Sequence, residues 1–510
     1  MSATQQASGA PGAQVHELDG KDSLLDSLFA QVNMEKPSDT VDLKVFKEGE
    51  QLANQSKNEM MAAALSVFVD TVAALDTPLD RLDKHFIDAM VANIDQKISQ
   101  QLDAVMHHPT FQQMESSWRG LKFMVDRVDF RKNVKVEILD VEKDELAESF
   151  EDSPELIQSP LYKHIYTDAY DQPGATPYAT IVSNFEFDNS AKDVNLLTNM
   201  SKVAASAHCP FLGSIGPKFF GKSSMEDWKK IPDLGAYMET SDYIKWNAFR
   251  ATDDSRYVGL TMPRFMARLP YGDDNPVKAF NYQENVKGSD HDKYLWANAT
   301  FAMATNMAKA FMSDGWSVQI RGPEAGGKVE DLPVHLYDVG KGKQLKTPTE
   351  VPISETLEFQ CANLGFIPLS HYQNRDFACF FSANSAQKPK IYDDEFATAN
   401  SRINSRLPYI FLASRISHYL KVMQRENIGS TKSRVVIEEE LNRWLKGLVT
   451  EMSNPSPAVI ARYPLKGAQV TVSEVGDNPG FYRVETMIMP HFQIEGMDIN
   501  LSLVGKMPAK

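Results

Sequence analysis

Cysteine is scarce in this sequence, and the three cysteines that it contains lie far apart. They are Cys209, Cys361 and Cys379, and no two of them form a CxxC pair. Zinc-binding and dithiol redox motifs use closely spaced cysteines, so both classes of motif are excluded. Apolar neighbours, as in Phe377-Ala-Cys-Phe-Phe381, predict buried and unreactive thiols. So few thiols in 510 residues are typical of a reducing compartment.

Long apolar runs are also missing. The longest stretches, such as Ala62 to Val69, are shorter than the about 20 residues that a membrane-spanning helix needs. The first residues do not combine a basic segment with an apolar one, so no secretory signal is predicted. We therefore expect no direct insertion into a membrane.

Basic residues are outnumbered by acidic ones. The chain has 53 Lys and Arg against 68 Asp and Glu, which gives a formal net charge of -15. An acidic chain repels phosphate backbones, so broad nucleic-acid binding is disfavoured. At roughly 150 residues per domain, the length predicts two to four domains.

Most signatures of catalysis are absent. The sequence has no GxSxG, HExxH or GxGxxG motif. The adjacent His107 and His108 have no third ligand at a suitable spacing, and a helix end or core contact explains them better than a metal. We expect no catalytic residue, no cofactor and no metal site.

One motif suggests a nucleotide site. Gly216-Pro-Lys-Phe-Phe-Gly221-Lys222-Ser223 fits the phosphate-loop pattern GxxxxGK[ST], and a strand is predicted just before it. Pro217 lacks one of the N–H groups that would wrap a phosphate. Phe219 and Phe220 add bulk where the chain must fold closely around an anion. These features favour an apolar surface loop and leave a P-loop NTPase using Gly216–Ser223 as the alternative.

The N-terminal quarter of the chain divides into an arm and a helical region. Residues 1–55 are polar and rich in Ser, Gln and Gly, which predicts a flexible arm. Residues 56–125 have apolar residues at helical spacings, and a helix should stop before Pro109. One narrow apolar stripe within this region needs a partner helix from this chain or from another subunit: Leu82, Phe86, Met90, Ile94, Ile98 and Leu102.

The remainder alternates between strand and helix periods, which predicts a mixed α/β fold. We expect an α/β domain over 126–355, with an exposed loop at 322–350, and a C-terminal α/β domain over 356–510. Strands are predicted near 134–139, 179–187, 209–215, 256–262 and 316–321. Helices are predicted near 192–207, 292–313, 395–425 and 433–452.

The end of the chain is rich in predicted antiparallel strands. Val470 and Val472 begin one strand, and Asp477-Asn-Pro-Gly480 predicts the turn that follows it. Two further apolar alternations follow. Phe492 and Ile494 have the opposite parity from the alternation that starts at Met497, and a bulge near Gly496 would explain the change. The residues of these alternations are Tyr482, Val484, Thr486 and Ile488, then Phe492, Ile494, Ile499, Leu501 and Leu503. An open sheet at a chain end leaves N–H and C=O groups that invite a further strand.

Four sequence blocks resemble the large sheath subunit of type VI secretion systems, the TssC/VipB family. The longest is Ser255-Arg-Tyr-Val-Gly-Leu-Thr-Met-Pro-Arg-Phe-Met-Ala-Arg-Leu-Pro-Tyr-Gly272. The others are His108-Pro-Thr-Phe-Gln-Gln-Met-Glu-Ser-Ser-Trp-Arg-Gly-Leu121, Ser159-Pro-Leu-Tyr-Lys163 and Pro490-His-Phe-Gln-Ile-Glu-Gly496. Residues 171–178 depart from the more Gly-rich family pattern, and residues 1–55 lie mostly outside the resemblance.

The resemblance implies a structural protein of a cytoplasmic contractile tube. It implies a heterodimer with the small sheath subunit, whose helix would pack on the stripe that begins at Leu82 or on the apolar residues from Met61 to Leu75. It also implies that copies of the heterodimer stack around an inner tube and that the tube starts at a baseplate. An AAA+ ATPase would dismantle the sheath, mainly through the small subunit. The C-terminal strands would exchange with strands of neighbouring subunits. A soluble α/β scaffold for another partner is a further hypothesis.

Overall fold

The structure is a computed structural model that describes residues 84–278, 280–340, 342–452, 454–474 and 482–491. The chain divides into two units. Among the described residues, the first contains 84–115 together with Leu269–Tyr294, and the second contains Ser116–Arg268 and 295–491 with the gaps just given. The predicted arm at 1–55 and the turn at 477–480 lie outside the described residues. The domain limits at 55, 125 and 355 stay predictions.

The first unit is built on helix α1, Lys84–Met106. Asp103 accepts a hydrogen bond from the Tyr282 hydroxyl at 2.7 Å and another from the Asn285 amide at 3.1 Å. One turn later, His107 Nε2 lies 3.1 Å from Glu284 Oε1. These bonds fix the segment 269–294 along one face of the end of α1.

Helix α2 spans Pro109–Val125. Proline is favoured at the first position of a helix because its missing N–H would have no helical partner there. The predicted stop before Pro109 is therefore confirmed, and the same proline begins the next helix.

A six-stranded sheet forms the centre of the second unit, among the described residues. Its strand order is β1-β2-β3-β9-β10-β6, with parallel pairing from β1 to β9 and antiparallel pairing from β9 to β6. The strands are β1 Ile181–Phe187, β2 Phe211–Ile215, β3 Val258–Met262, β6 Lys328–Val329, β9 Phe366–His371 and β10 Ala378–Phe380. Every residue of β2 and β3 is buried, as expected for parallel strands that are covered on both faces.

Helices and smaller hairpins complete the second unit. The helices after α2 are α3 Lys143–Glu151, α4 Ala191–Ala207, α5 Met225–Trp228, α6 Leu234–Met238, α7 Ile244–Arg250, α8 Ala299–Asp314, α9 Glu355–Asn363, α10 Glu395–Asn404, α11 Leu407–Glu426, α12 Arg434–Lys446 and α13 Pro457–Arg462. The turn Pro160–Tyr162 continues as a π-helix over Lys163–Asp171. A short antiparallel pair joins β4 Phe265–Met266 to β5 Trp296–Ala297, and a hairpin pairs β7 His335–Asp338 with β8 Lys343–Lys346.

The C-terminal part of the second unit has its own hydrophobic core. Strand β11, Leu465–Glu474, pairs antiparallel with β12, Tyr482–Pro490. The hairpin packs with α11 and α12 around a cluster of buried residues that includes Leu412, Ile416, Leu441, Leu445, Val470 and Val472. The predicted mixed α/β fold, with a helical N-terminal part and a C-terminal antiparallel hairpin, is confirmed.

Two strand predictions are wrong. Residues 134–142 have no regular structure, and Ile138 and Leu139 are 67% and 55% exposed. Residues 316–321 are also irregular, although Val318 and Ile320 are buried. Apolar alternation alone does not make a strand, because a strand also depends on how its side chains pack and pair within a sheet.

Three helix predictions need corrected limits. The helix predicted over 433–452 is α12, which ends at Lys446. The helix predicted from 292 begins at Ala299, because β5 lies immediately before it. The helix predicted over 395–425 is two helices, α10 and α11, which are separated at Ser405 and Arg406. Pro408 stands in the first turn of α11, where proline is tolerated, whereas a continuous helix would place it in the interior.

Candidate assembly surfaces

The phosphate-loop motif does not fold as a phosphate loop. Gly216 is followed by a short 3₁₀-helix, Pro217–Phe220, and the side chains of Phe219 and Phe220 are fully buried in the main core. A true phosphate loop opens a long helix. Here Ser224 caps α5, which has only four residues.

The charges around the motif also oppose an anion site. A Cβ at Gly216 would overlap the Glu186 carboxylate, so a negative charge occupies the position nearest this glycine. The Lys222 ammonium lies 5.3 Å from the centre of the Tyr237 ring, and the Ser223 hydroxyl donates to Asp227. The segment is an apolar turn anchored by two phenylalanines.

The cysteines are buried, as expected. All three thiols are free, and burial raises the pKa of Cys209 and Cys361 well above the ordinary value. Burial also raises the pKa of Cys379 to about 12. Such thiols stay protonated and unreactive at neutral pH. Among the described residues there is no cluster of His, Cys, Asp or Glu that could hold a metal ion.

The C-terminal hairpin offers main-chain groups for pairing. Val470 is opposite Thr486, and Val472 is opposite Val484. The N–H and C=O of Val470 both bond to the side chain of Asn442, so they point away from β12. Directly opposite residues of an antiparallel pair share this orientation. The N–H and C=O of Thr486 therefore point away from β11.

Along β12, main-chain groups that point toward β11 alternate with groups that point away from it, so one edge of the strand is unpaired among the described residues. The main-chain groups of Tyr482, Val484, Thr486 and Ile488 all face outward, and among the described residues none of them has a hydrogen-bond partner. The groups of the residues between them pair with β11. An edge of this kind is a template for another strand.

The side chains of β12 divide between the two faces of the hairpin. Val484 and Ile488 pack against the C-terminal core, together with Val470 and Val472. On the opposite face, Met487 and Met489 are 62% and 47% exposed. Of the residues predicted for strand exchange at 482–488, Val484 and Ile488 therefore pack on their own subunit, whereas the side chains of Tyr482 and Thr486 are exposed. The main-chain groups of all four residues face the free edge. The other predicted exchange residues, Phe492, Ile494, Ile499, Leu501 and Leu503, lie outside the described residues.

The predicted apolar stripe lies on α1 from Phe86 to Leu102, and its described side chains are partly exposed. Ile98 and Leu102 are half-buried, and Val91 is 50% exposed. At about 100° per residue, these three side chains lie within about 60° of one another around the helix. Leu82 lies outside the described residues, and for Phe86, Met90 and Ile94 only the backbone is described. This apolar line is separate from the face that carries Asp103.

Comparison with protein families decides the identity of the chain. Residues 88–387 match the model of the tail sheath N-terminal domain of the EvpB/VC_A0108 family. Residues 396–507 match the model of the tail sheath gpW/gp25-like domain of the same family. The chain belongs to the TssC/VipB family of type VI secretion sheath proteins.

A curated relative agrees with this assignment. The type VI secretion system sheath protein TssC1 of Pseudomonas aeruginosa is 40% identical over 432 residues, which cover 83% of this chain and 86% of the relative. This sheath protein is therefore a structural component rather than an enzyme. The resemblance in the four sequence blocks is confirmed.

Solved structures give weaker similarities to the sheath protein. A chain of the anti-feeding prophage baseplate has a TM-score of 0.35 at 11% identity and covers 73% of this chain and 83% of that one. A chain of the contracted sheath complex of an extracellular contractile injection system has a TM-score of 0.34 at 10% identity, with coverages of 60% and 68%. The family assignment depends on the sequence matches.

Sequence reasoning missed several exposed apolar residues of the sheath protein. Trp118 on α2 is 64% exposed, and Ile391 and Phe396 are 84% and 82% exposed. For Trp118, the sequence feature that could have indicated exposure is its position directly after two serines in one of the four resembling blocks. Ile391 and Phe396 lie near the junction of the two family segments. Among the described residues, no helix is long and apolar enough to cross a membrane.

Proposed function

We propose that this chain is the large subunit of a cytoplasmic contractile sheath. It forms a heterodimer with a small sheath subunit, and the heterodimers polymerise into a helical tube around an inner tube. Contraction of the sheath propels the inner tube from a baseplate, and an AAA+ ATPase then dismantles the sheath, mainly through the small subunit. The family assignment supports the sheath, and the open edge of β12 supports the mode of assembly.

Strand exchange is the proposed link between subunits. A strand from another subunit adds to the edge formed by Tyr482, Val484, Thr486 and Ile488. Residues 492–504 of each chain supply further strand segments, among them Phe492, Ile494, Ile499, Leu501 and Leu503. Main-chain hydrogen bonds contribute about 0.5–1.5 kcal/mol each and depend little on sequence. Pairing along the whole edge therefore links two subunits strongly and requires few specific side chains.

A strand joined to its own domain by a flexible linker suits a contracting lattice. The domains rotate between two packings while the exchanged strands stay paired. The free-energy difference between the extended and contracted packings supplies the work. The subunit itself then needs no nucleotide.

The small subunit is proposed to dock on the apolar stripe of α1. The side chains of Ile98 and Leu102 are the described part of this stripe, whose full extent is Leu82, Phe86, Met90, Ile94, Ile98 and Leu102. The exposed Val91 lies beside these two residues on the helix. An amphipathic helix of the partner would lay its apolar face along this line. The acidic net charge of -15 disfavours broad nucleic-acid binding, so no nucleic acid is proposed as a partner.

Co-expression with the small subunit tests the proposal. Electron microscopy should show hollow striated tubes. Ile98→Glu places a charge in the stripe and should abolish the heterodimer and the tubes. The matched control Gln96→Glu changes an exposed residue about 200° away around the helix and should leave both intact.

Two results would count against the proposal. Persistently separate proteins, without tubes, would favour a soluble scaffold for another partner. Equal effects of Ile98→Glu and Gln96→Glu would remove the α1 stripe from the interface.

A further inference from the structure

The two edges of the C-terminal hairpin are unequal. The outer edge of β12 is open among the described residues, whereas the outer edge of β11 is covered by side chains of α12. Three residues of α12 form the cover: Arg434, Glu438 and Asn442. Their spacing of four places them one above another on a single face of the helix.

Asn442 imitates a neighbouring strand at Val470. Its Nδ2 donates to the Val470 carbonyl at 2.8 Å, and its Oδ1 accepts from the Val470 N–H at 2.9 Å. A side-chain amide has both a donor and an acceptor, so it satisfies the two main-chain groups that a neighbouring strand would pair. Asn442 Nδ2 also donates to the Glu438 carbonyl at 2.9 Å, which ties the amide to its own helix.

Arg434 and Glu438 do the same at Val472. Arg434 Nη1 donates to the Val472 carbonyl at 2.8 Å, and Glu438 Oε2 accepts from the Val472 N–H at 3.0 Å. The two side chains also pair with each other at 3.2 Å. A carboxylate supplies only acceptors and a guanidinium only donors, so the pair together provides what Asn442 provides alone.

The beginning of β11 is closed by main chain. The N–H of Leu465 donates to the Leu448 carbonyl at 3.2 Å, and the Leu465 carbonyl accepts from the Thr450 N–H at 3.1 Å. A strand that approached β11 would have to displace this segment and the polar side chains of α12. A strand that approaches β12 displaces nothing that the structure describes.

We propose that Arg434, Glu438 and Asn442 determine which edge of the hairpin accepts a strand. They occupy the β11 edge as a permanent substitute for a strand, so each hairpin accepts its partner strand along β12. This assignment rests on the proposed function, because it specifies the side on which strand exchange occurs. Loss of the three side chains would open a second edge and permit pairing on the wrong side.

Hydrogen exchange measured by mass spectrometry separates the two edges. The peptides 465–474 and 482–490 are compared in the unassembled heterodimer and in assembled tubes. We expect assembly to slow exchange in 482–490 by at least roughly tenfold, the equivalent of one or two net hydrogen bonds per site. We expect no change in 465–474, whose outward N–H groups at Val470 and Val472 are already bonded.

The two possible failures give different results. If 465–474 gains protection on assembly, the edge assignment is overturned while strand exchange stands. If neither peptide gains protection, strand exchange itself is contradicted, and the edge assignment with it. The measurement uses the unaltered protein, so it does not depend on how a variant folds.

A pair of double variants tests the role of the side chains. Glu438→Ala with Asn442→Ala removes two of the three covering side chains and both acceptors of the Val470 and Val472 N–H groups. Glu439→Ala with Arg443→Ala changes the neighbouring exposed residues of the same helix. The first variant should exchange the 465–474 amides roughly tenfold faster before assembly and form mispaired oligomers in competition with tubes. The control should behave as the unaltered chain does.

Asn442→Asp provides a milder version of the same test. Aspartate keeps the acceptor for the Val470 N–H and loses the donor for its carbonyl, so the outcome should lie between the unaltered chain and the double variant. Normal tubes in normal yield from Glu438→Ala with Asn442→Ala, without new oligomers, would overturn the proposal.

Discussion

At the scale of single residues, Arg264 explains part of the longest resembling block. Its Nε donates to Glu350 Oε2 at 3.0 Å, and its Nη2 donates to Glu350 Oε1 at 2.7 Å. The side chain of Glu350 is only 3% exposed. The block therefore carries a buried two-point ion pair that joins the segment after β3 to the segment before α9.

Arg264→Ala should destabilise the fold, because it leaves the Glu350 carboxylate buried without this partner. We expect the free energy of unfolding to fall by about 3 kcal/mol, the low end for breaking a buried pair, since Arg264 is partly exposed. Chemical denaturation of the heterodimer measures the change. Lys192→Ala, which breaks the exposed pair with Asp144, should have little effect. Similar losses in both variants would contradict this reading.

His418 is a buried histidine that couples stability to pH. Its Nε2 donates to the Ala207 carbonyl at 2.9 Å, and desolvation by burial lowers its pKa to about 4. The surrounding groups are His208, Tyr170, Arg415 and Lys421. The neutral ring therefore fits this site, and a protonated ring does not.

Stability should fall as the pH decreases from about 6.5 to about 4. In this window the unfolded chain protonates His418, at an ordinary pKa of about 6.5, and the folded chain does not. The stabilisation is present in full above pH 6.5, and its loss amounts to about 3 kcal/mol at the lower limit. His418→Asn should flatten the pH dependence of the unfolding free energy, whereas the exposed His164→Gln should leave it unchanged. An unaltered slope in His418→Asn would contradict the assignment.

At the scale of elements, α2 approaches α8 closely at Gly120. A Cβ at this position would overlap the ring of Phe301 on α8. Gly120→Ala should therefore lower the free energy of unfolding by about 1–3 kcal/mol through overpacking, even though alanine favours a helix. Gly235→Ala in α6 is the matched control, since its Cβ would lie 3.3 Å from the Asp233 carboxylate and meet no ring. An equal response of both variants in thermal unfolding would remove the steric explanation.

The main-chain direction of β12 gives a sharper test of strand exchange. Thr486→Pro removes an outward N–H and leaves the bonds to β11 in place, so the hairpin should fold and tube assembly should fail. Glu485→Pro removes an inward N–H and should disrupt the hairpin itself. Circular dichroism reports folding, and negative-stain microscopy reports tubes. Normal tubes from Thr486→Pro would show that this edge takes no strand.

The sequence predicts some elements well because their signal is local. Alternation at 482–488 predicts a strand with one apolar face, and Val484 and Ile488 indeed pack on the C-terminal core. Alternation at 316–321 misleads, because Val318 and Ile320 are buried in a segment without regular structure. The role of Asn442 cannot be read from sequence at all. A polar residue in a helix predicts a solvated face, and its partner Val470 is 28 residues away.

At the scale of the whole molecule, the family assignment identifies the class of protein, which composition and motifs alone leave open. The four resembling blocks identify the sheath family, whereas the phosphate-loop motif alone suggests an enzyme. Burial of Phe219 and Phe220 and the four-residue helix α5 explain why the motif carries no phosphate chemistry. The proposed assembly edge of β12 is visible only in the main-chain hydrogen bonds of the fold, which no motif in the sequence reports.

The central claim is that the hairpin of one subunit is completed by a strand of another. A cryo-electron microscopy map of tubes assembled from this chain and its small subunit, at a resolution that traces each chain, tests it directly. We predict a strand from a different chain paired along Tyr482–Pro490, with the β11 edge still covered by α12. An empty β12 edge, or one filled by residues 492–510 of the same chain, would contradict the account.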